Sequence, residues 1–370
     1  MEEFTLCATC LFGLEGLTAQ QLRKLGMKDV RAENGRVFFA GNKEALAKAS
    51  INLRFAERLL ISVGSFHAES FTQLFDNVAA LPWEKFIPID GNFPVKGSCI
   101  NSQLHSVPDC QSIIKKAIAS RLMTKYRRDW MEESAEKYQI RFTIMKDQAE
   151  IYIDTSGAAL HKRGYRAEGT AAPLRETLAA ALVELARYRG KVEFYDPFCG
   201  SGTIAIEAAY MALNRAPGIN RSFDAMNWRW MPKSVWAEAR QEAKDKEFSG
   251  NYRIFGSDID PHALEVAKRN ASKAGVSKYI EFFHADAGAM EKRTPGGVIV
   301  CNPPYGERMM ERSEAAKLMS RFGAGCAAQD DWKVFVLTSD ADFERSFGKP
   351  ATKKRKLYNG MIKCDLFMYL

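Results

Sequence analysis

The chain has 370 residues, 46% of them hydrophobic and 26% charged, and a net charge of +8. This length allows two or three domains with separate cores, and the composition is that of an ordinary globular protein. We find no uncharged run long enough to span a bilayer and no signal peptide, so we expect a cytoplasmic protein without a membrane partner. Residues 1–160 hold 20 Lys and Arg against 19 Asp and Glu, which places almost all of the excess positive charge in residues 161–370. The basic balance favours a polyanionic partner.

Short strand and helix patterns alternate over the first 64 residues. An alternating apolar run at 4–11 is followed by a helical pattern at 13–25. Two short strand patterns then flank Asn34-Gly35, a dipeptide that favours a two-residue hairpin. A second helical pattern and a further strand complete a β-α-β-β-α-β order. This order predicts an α+β ferredoxin-like domain over residues 1–64.

Residues 65–160 form a second segment. Helical patterns at 70–80 and 108–126 precede two alternating runs at 138–145 and 149–154. Neither N-terminal segment contains a glycine-rich loop or a cluster of acids or histidines, so we expect the chemistry to lie elsewhere. Cys7 and Cys10 form the only CxxC pair, within a strand pattern and without a second pair or a nearby histidine. We therefore expect structural thiols and no metal site.

Longer strand–helix units begin near residue 172 and predict a doubly wound α/β domain with a parallel sheet. The chain closes with an Asn359-Gly360 turn and a return strand, which predicts a terminal antiparallel hairpin. The strand patterns are at 192–195, 253–257, 280–284, 298–301, 333–337 and 362–369.

The segment Asp196-Pro-Phe-Cys-Gly-Ser-Gly-Thr203 joins the first of these strands to an apolar helical pattern. Gly200 and Gly202 allow the backbone to approach a ligand closely. The prominent side chain is the acid Asp196, which suits a cationic group such as the α-amino group of a methionine moiety better than a phosphate. We expect Asp196, Gly200, Gly202 and Thr203 to bind a cofactor.

Two more acids follow the next two strands. Asp258 is placed to accept hydrogen bonds from vicinal ribose hydroxyls, and Asp286 to accept one from an adenine 6-amino group. Ile259 and Ala287, directly after these acids, belong to the same predicted cofactor site. Asp260 has an alternative role as the N-cap of the helix that begins at the following proline.

The segment Asn302-Pro-Pro-Tyr305 follows a further apolar strand. The Asn302 side chain and the Pro303 carbonyl can accept both protons of an exocyclic base amine, which directs the nitrogen lone pair at an electrophilic methyl group. Pro304 stiffens the loop, and Tyr305 can stack on a flipped base. Cys199 and Cys301 are candidate nucleophiles for carbon methylation, but amine methylation needs none, so we interpret them as packing residues.

The two motifs at 196–203 and 302–305 resemble motifs I and IV of class I S-adenosylmethionine-dependent methyltransferases that act on an exocyclic amine. With Thr155-Ser-Gly157 and the segments 161–166 and 172–178, the whole chain resembles the THUMP-domain class I RNA methyltransferases. Its nearest kin would be the bacterial enzymes that form N2-methylguanosine in 23S rRNA. Phe198 stands where family members often have Met.

The resemblance implies a THUMP RNA-binding domain at 65–160 and a class I methyltransferase catalytic domain at 161–370. It implies S-adenosylmethionine as cofactor and RNA, most plainly ribosomal RNA, as partner. We expect RNA contacts from Arg163, Arg166, Lys115 and Lys116, the last two within a basic helical segment. The alternatives are a tRNA guanine-N2 methyltransferase, an N6-adenine DNA methylase, and a catalytically silent RNA-binding module.

Overall fold

The computed structural model describes residues 3–166, 174–290, 296–304, 312–329 and 331–370. Its strands are β1 Phe4–Cys10, β2 Lys28–Glu33, β3 Arg36–Gly41, β4 Ala56–His67, β5 Val95–Ile100, β6 Gln139–Met145, β7 Gln148–Asp154, β8 Glu193–Asp196, β9 Ile254–Asp258, β10 Ile280–His284, β11 Gly297–Cys301, β12 Lys333–Thr338, β13 Lys353–Asn359 and β14 Ile362–Tyr369. Its α-helices are α1 Glu15–Lys24, α2 Lys43–Asn52, α3 Phe71–Ala80, α4 Val107–Tyr126, α5 Glu176–Leu185, α6 Thr203–Ala212, α7 Lys233–Asp245, α8 Pro261–Lys273, α9 Arg312–Ala327 and α10 Phe343–Phe347.

The first seven strands form one continuous sheet in the order β2-β3-β1-β4-β7-β6-β5. All its pairings are antiparallel except that of β5 with β6. The predicted boundary between residues 64 and 65 falls inside β4, which pairs with β1 over residues 56–61 and with β7 over residues 60–67. The two N-terminal domains therefore share a sheet and one hydrophobic core.

The second sheet has the order β10-β9-β8-β11-β12-β14-β13. The first five strands in that order are parallel, and the β13–β14 hairpin joins β12 antiparallel. The predicted doubly wound sheet with a terminal antiparallel hairpin is thus confirmed. The strand order reverses between β8 and β11, and ligands of such sheets bind at the carboxyl ends of strands at this point.

The segment between α6 and β9 packs on the N-terminal half of the molecule, which the sequence did not indicate. The Trp228 ring stacks on Tyr138 with centroids 5.0 Å apart, and its Nε1 donates to the Lys137 carbonyl at 2.9 Å. The Trp230 Nε1 donates to the Phe86 carbonyl at 3.0 Å. Both tryptophans therefore pack across the two halves of the chain.

The CxxC cysteines lie in β1 and are buried. Burial raises the pKa of Cys7 and of Cys10 to about 12, so both thiols stay protonated near neutral pH. Among the helices that the structure describes, none is long and apolar enough to cross a membrane.

Candidate cofactor and substrate site

The turn between β8 and α6 depends on glycine. Gly200 and Gly202 have φ of +49° and +80°, in the left-handed region where side chains are strained. A Cβ on Gly202 would also lie 3.0 Å from the Ala267 Cβ and from the Phe282 ring. The turn holds Asp196 at the end of β8 and Thr203 at the first position of α6.

Asp196 is buried, with only 1% of its surface exposed. Its Oδ1 accepts a hydrogen bond from the Phe198 backbone N–H at 3.2 Å, and its Oδ2 has no partner in the described part of the chain. Burial raises the pKa of this carboxyl well above its usual range, and the nearby charge of Asp258 adds to the effect. A buried acid with one unsatisfied oxygen fits a cationic ligand, and the ammonium group of S-adenosylmethionine is such a ligand.

Asp258 ends β9, the strand beside β8, and is half-buried. Its Oδ2 accepts from the Gly200 N–H at 2.8 Å, and its Oδ1 accepts from the Asp260 N–H at 3.0 Å. The carboxylate thus supports the glycine turn and keeps one lone pair per oxygen for ribose hydroxyls. Asp260 takes its alternative role, since its side chain caps α8 by accepting from the His262 N–H at 2.9 Å. Ile259 is 62% exposed beside this site.

Asp286 follows β10, and both of its carboxylate oxygens accept hydrogen bonds within the protein, which the sequence did not indicate. Its Oδ1 accepts from the Gly288 N–H at 2.8 Å, and its Oδ2 accepts from the Arg321 guanidinium at 3.0 Å. Ala287 is buried directly after it. Arg321 lies on α9 and borders an open depression of about 620 Å³. Sequence reasoning missed Arg321 because its acidic partner is 35 residues away.

Asn302 follows β11, the neighbour of β8 on the other side of the switch point. Ile299 lies opposite Tyr195 in the parallel register, so Asp196 and Asn302 end neighbouring strands at the same edge of the sheet. Burial raises the pKa of the Cys301 thiol well above its usual range, and the nearby charge of Asp196 adds to the effect. Pro303 is buried and Pro304 half-buried, whereas Tyr305 lies outside the described residues.

The two candidate nucleophiles are both buried. Burial raises the pKa of Cys199 and of Cys301 well above the usual thiol range, and nearby carboxylates raise it further. A protonated, buried thiol is a poor nucleophile, which agrees with the interpretation of both residues as packing. Phe198, the departure from the family pattern, packs edge-to-face on Phe322 of α9 with ring centroids 5.2 Å apart.

Of the two predicted arginine contacts with RNA, Arg163 lies inside the molecule and Arg166 is half-buried. Arg163 is 5% exposed, and its guanidinium donates to Glu207 on α6 and to the Leu160 carbonyl. It is therefore not available to RNA in this structure, and the expectation for this residue is wrong. Arg166 donates to the Thr203 hydroxyl at 3.1 Å and to the Leu174 carbonyl at 3.0 Å, so it lies beside the cofactor turn rather than on a free surface.

The two predicted lysine contacts differ from each other. Lys115 pairs with Glu133 and donates to the Phe93 carbonyl at 3.1 Å, so its charge is largely satisfied within the protein. Lys116 is exposed on α4. A basic run in sequence does not show which of its charges the fold neutralises, since the acids come from other elements.

Comparison with protein families assigns the three parts of the chain. The family model described as RMKL-like, methyltransferase domain, matches residues 163–367, more than half of the chain. The chain belongs to this methyltransferase family. The RlmL ferredoxin-like domain matches residues 5–60 and the THUMP domain matches residues 68–154. The predicted family and the predicted fold are confirmed, and the predicted enzyme class is confirmed as a methyltransferase.

Curated relatives cover the chain from end to end. It is 44% identical over its full length to "Putative RNA methyltransferase YpsC" of Bacillus subtilis (strain 168), covering 96% of that protein. It is 33% identical, over 96% of its own length, to "Ribosomal RNA large subunit methyltransferase K/L" of Psychromonas ingrahamii. The chain spans about half of that K/L protein, 49% of its length.

Solved structures share the complete architecture. A protein of Listeria monocytogenes, described as "a predicted N6-adenine-specific DNA methylase", is 46% identical with a TM-score of 0.95, and the match covers 100% of this chain and 97% of the Listeria chain. SMU.472, crystallised with SAH, is 39% identical with a TM-score of 0.95, covering 100% of this chain and 98% of its own. SAH is what remains of S-adenosylmethionine after methyl transfer.

Proposed function

We propose that the chain uses S-adenosylmethionine to methylate N2 of a guanine in 23S rRNA, in the cytoplasm. The observation that carries this proposal is the pairing of an unsatisfied buried acid, Asp196, with Asn302-Pro303 at the ends of neighbouring strands. The THUMP match and the names of the relatives support RNA as the substrate. The ribosomal target comes from the K/L relative, of which this chain covers about half.

The proposed cofactor residues lie at the ends of three strands, and each strand end would bind a different part of S-adenosylmethionine. Asp196 would bind the ammonium group, while Gly200, Gly202 and Thr203 let the backbone lie against the methionine moiety. Asp258 would accept from the ribose hydroxyls, with Ile259 against the adenine face, and Asp286 and Ala287 would border the adenine 6-amino group. S-Adenosylmethionine supplies the electrophilic methyl group.

The substrate residues would act on the amine. The lone pair of an exocyclic amine is delocalised into the base, which makes the nitrogen a poor nucleophile. The Asn302 side-chain oxygen and the Pro303 carbonyl would each accept an N–H, drawing electron density onto nitrogen and fixing its lone pair in line with the methyl group. Pro304 would keep the loop extended, and Tyr305 would stack on the flipped base.

A second candidate is N6-adenine methylation of DNA, which the name of the Listeria protein favours. Asn-Pro-Pro-Tyr serves an adenine amine as well as a guanine amine, so the motif does not separate the two. The THUMP match favours an RNA substrate over a DNA substrate. So does the extra N-terminal sheet of β1–β7, which precedes the methyltransferase domain.

The test is methyl transfer from radiolabelled S-adenosylmethionine to three substrates: 23S rRNA, tRNA and duplex DNA. We expect transfer to 23S rRNA, with the label in N2-methylguanosine after nuclease digestion. Transfer to tRNA alone would replace the ribosomal target. Transfer to duplex DNA alone would replace the proposal with the DNA methylase.

A further inference from the structure

The basic helix α4 carries more positive charge than its surroundings neutralise. Residues 110–128 contain six basic side chains and no acidic one. Arg121 forms a two-pronged pair with Glu84, and Lys125 approaches the same carboxylate at 3.7 Å. Lys115 pairs with Glu133. Half of the run is thus neutralised by acids from other elements, which leaves Lys116, Arg127 and Arg128.

These three residues are exposed, and no acid within the described ranges pairs with them. At 3.6 residues per turn, Lys116, Ser120 and Arg127 lie on one face of α4 and its C-cap. The C-terminal end of this face opens into a groove of about 420 Å³, which is lined by Ser120, Met123, Thr124, Arg127, Arg128 and Asp129. Positive charge beside hydroxyl groups in a shallow groove suits the phosphates of a nucleic-acid strand.

Trp130 follows this groove and is 75% exposed. The other five tryptophans of the chain are buried or half-buried, which is the usual state of this side chain. An exposed indole next to two unpaired arginines is the combination that binds single-stranded nucleic acid, because the indole stacks on a base while the arginines hold its phosphates.

We propose that Lys116, Arg127, Arg128 and Trp130, here called the α4 patch, bind the RNA substrate at an unpaired nucleotide outside the catalytic pocket. The basic groups contact the backbone phosphates, and the Trp130 ring stacks on the unpaired base. Asp129, which also lines the groove, offers an acceptor to a ribose 2′-hydroxyl or a base N–H. The inference rests on the proposed function, since it presumes an RNA substrate.

The test compares the affinity of full-length variants for a 23S rRNA fragment at several salt concentrations. Trp130→Ala removes the stacking ring, and Trp130→Phe restores an aromatic face. Arg127 has φ of +52° at the helix C-cap, so Arg127→Gly removes its charge without backbone strain and is combined with Arg128→Ala. Phe248→Ala and Arg345→Ala are the matched controls, because these side chains are 61% and 83% exposed on other elements.

Trp130→Ala is expected to raise the dissociation constant for RNA roughly 5- to 150-fold, with recovery in Trp130→Phe. The arginine pair should lower the slope of log affinity against log salt by about 1 for each lost phosphate contact. Affinity for S-adenosylmethionine should stay that of the unmodified protein in every variant.

Three outcomes would overturn the proposal. If the unmodified protein methylates rRNA and the patch variants bind it as tightly as the controls, the α4 patch is not an RNA site and the proposed function stands. If the variants bind free rRNA normally and fail only on preribosomal particles, the patch contacts a ribosomal protein instead. If the unmodified protein methylates duplex DNA and does not bind rRNA, both the proposed function and the assignment of the α4 patch as an RNA site are refuted.

Discussion

At the scale of single residues, the assignment of the cofactor site depends most on Asp196. Asp196→Asn keeps the size of the side chain and removes the charge that would bind the ammonium group. Losing a charge-assisted hydrogen bond costs about 1.5–3 kcal/mol, so we expect cofactor affinity to fall by roughly 10- to 150-fold. The cofactor-free variant should unfold at a temperature no lower than the parent, because a buried acid without a full set of partners is itself unfavourable.

Calorimetric titration with S-adenosylmethionine and thermal unfolding provide the two readouts. Asp260→Asn is the control, since this acid caps α8 and is exposed. Its effect should be confined to stability. A cofactor affinity for Asp196→Asn within about twofold of the parent value would refute the ammonium assignment.

The raised pKa of Asp196 predicts how cofactor binding depends on pH. Below that pKa the carboxyl is protonated, and binding a cation there requires release of a proton. Affinity should therefore rise with pH up to the raised pKa and level off above it. Calorimetry in two buffers of different ionisation enthalpy should detect the released proton in the parent and not in Asp196→Asn. Affinity that does not change with pH would contradict the account.

Asn302 is expected to act on the amine and not on the cofactor. Asn302→Ala should lower single-turnover methyl transfer by a factor on the order of 10² or more and leave cofactor affinity nearly unchanged. Rapid-quench measurement with saturating cofactor separates the two effects. If affinity collapses while the single-turnover rate persists, Asn302 belongs to the cofactor site instead.

At the scale of elements, local patterns in the sequence predicted several strands closely. The strands Ile280–His284 and Ile362–Tyr369 have the predicted bounds, because each is an apolar run between clear turn signals. The Asp196–Thr203 turn was also predictable from the sequence, because the strand, the glycines and the helix follow one another directly. The partners of charged side chains could not be predicted in this way. Arg163 is an example, because the acid to which it donates, Glu207, is 44 residues away in the sequence.

The helix and turns between α6 and β9 show the same limit on a larger scale. The stacking partner of Trp228, Tyr138, belongs to the other half of the chain. Only the assembled fold shows that this segment and the N-terminal sheet share one core.

This shared core predicts that Trp228 matters for the stability of the whole chain. Trp228→Ala removes a ring that is 1% exposed and should cost about 3–5 kcal/mol in the free energy of unfolding. Urea denaturation followed by circular dichroism measures the change. Trp130→Ala, at the 75% exposed tryptophan, is the control and should cost little. A loss below about 1 kcal/mol for Trp228→Ala would show that the two halves are not coupled there.

At the scale of the whole molecule, the cofactor acids all lie beyond residue 190, which suggests a catalytic domain that could be isolated. The fold argues against this. Removing residues 1–160 would expose the faces of Trp228, Trp236 and Ala239 that belong to the shared core. We expect the truncated chain to aggregate or to unfold without a cooperative transition, in contrast to the full chain. A soluble fragment that melts cooperatively and binds S-adenosylmethionine would contradict this expectation.

The central claim is methylation of guanine N2 in 23S rRNA, and one measurement tests it most directly. Nucleosides from 23S rRNA, tRNA and DNA would be quantified by mass spectrometry in a parent strain and a deletion strain. The deletion strain would be complemented with either the unmodified chain or Asn302→Ala. The account predicts that N2-methylguanosine in 23S rRNA falls on deletion and returns only with the unmodified chain. Unchanged rRNA, with loss of N6-methyladenine from DNA, would contradict it.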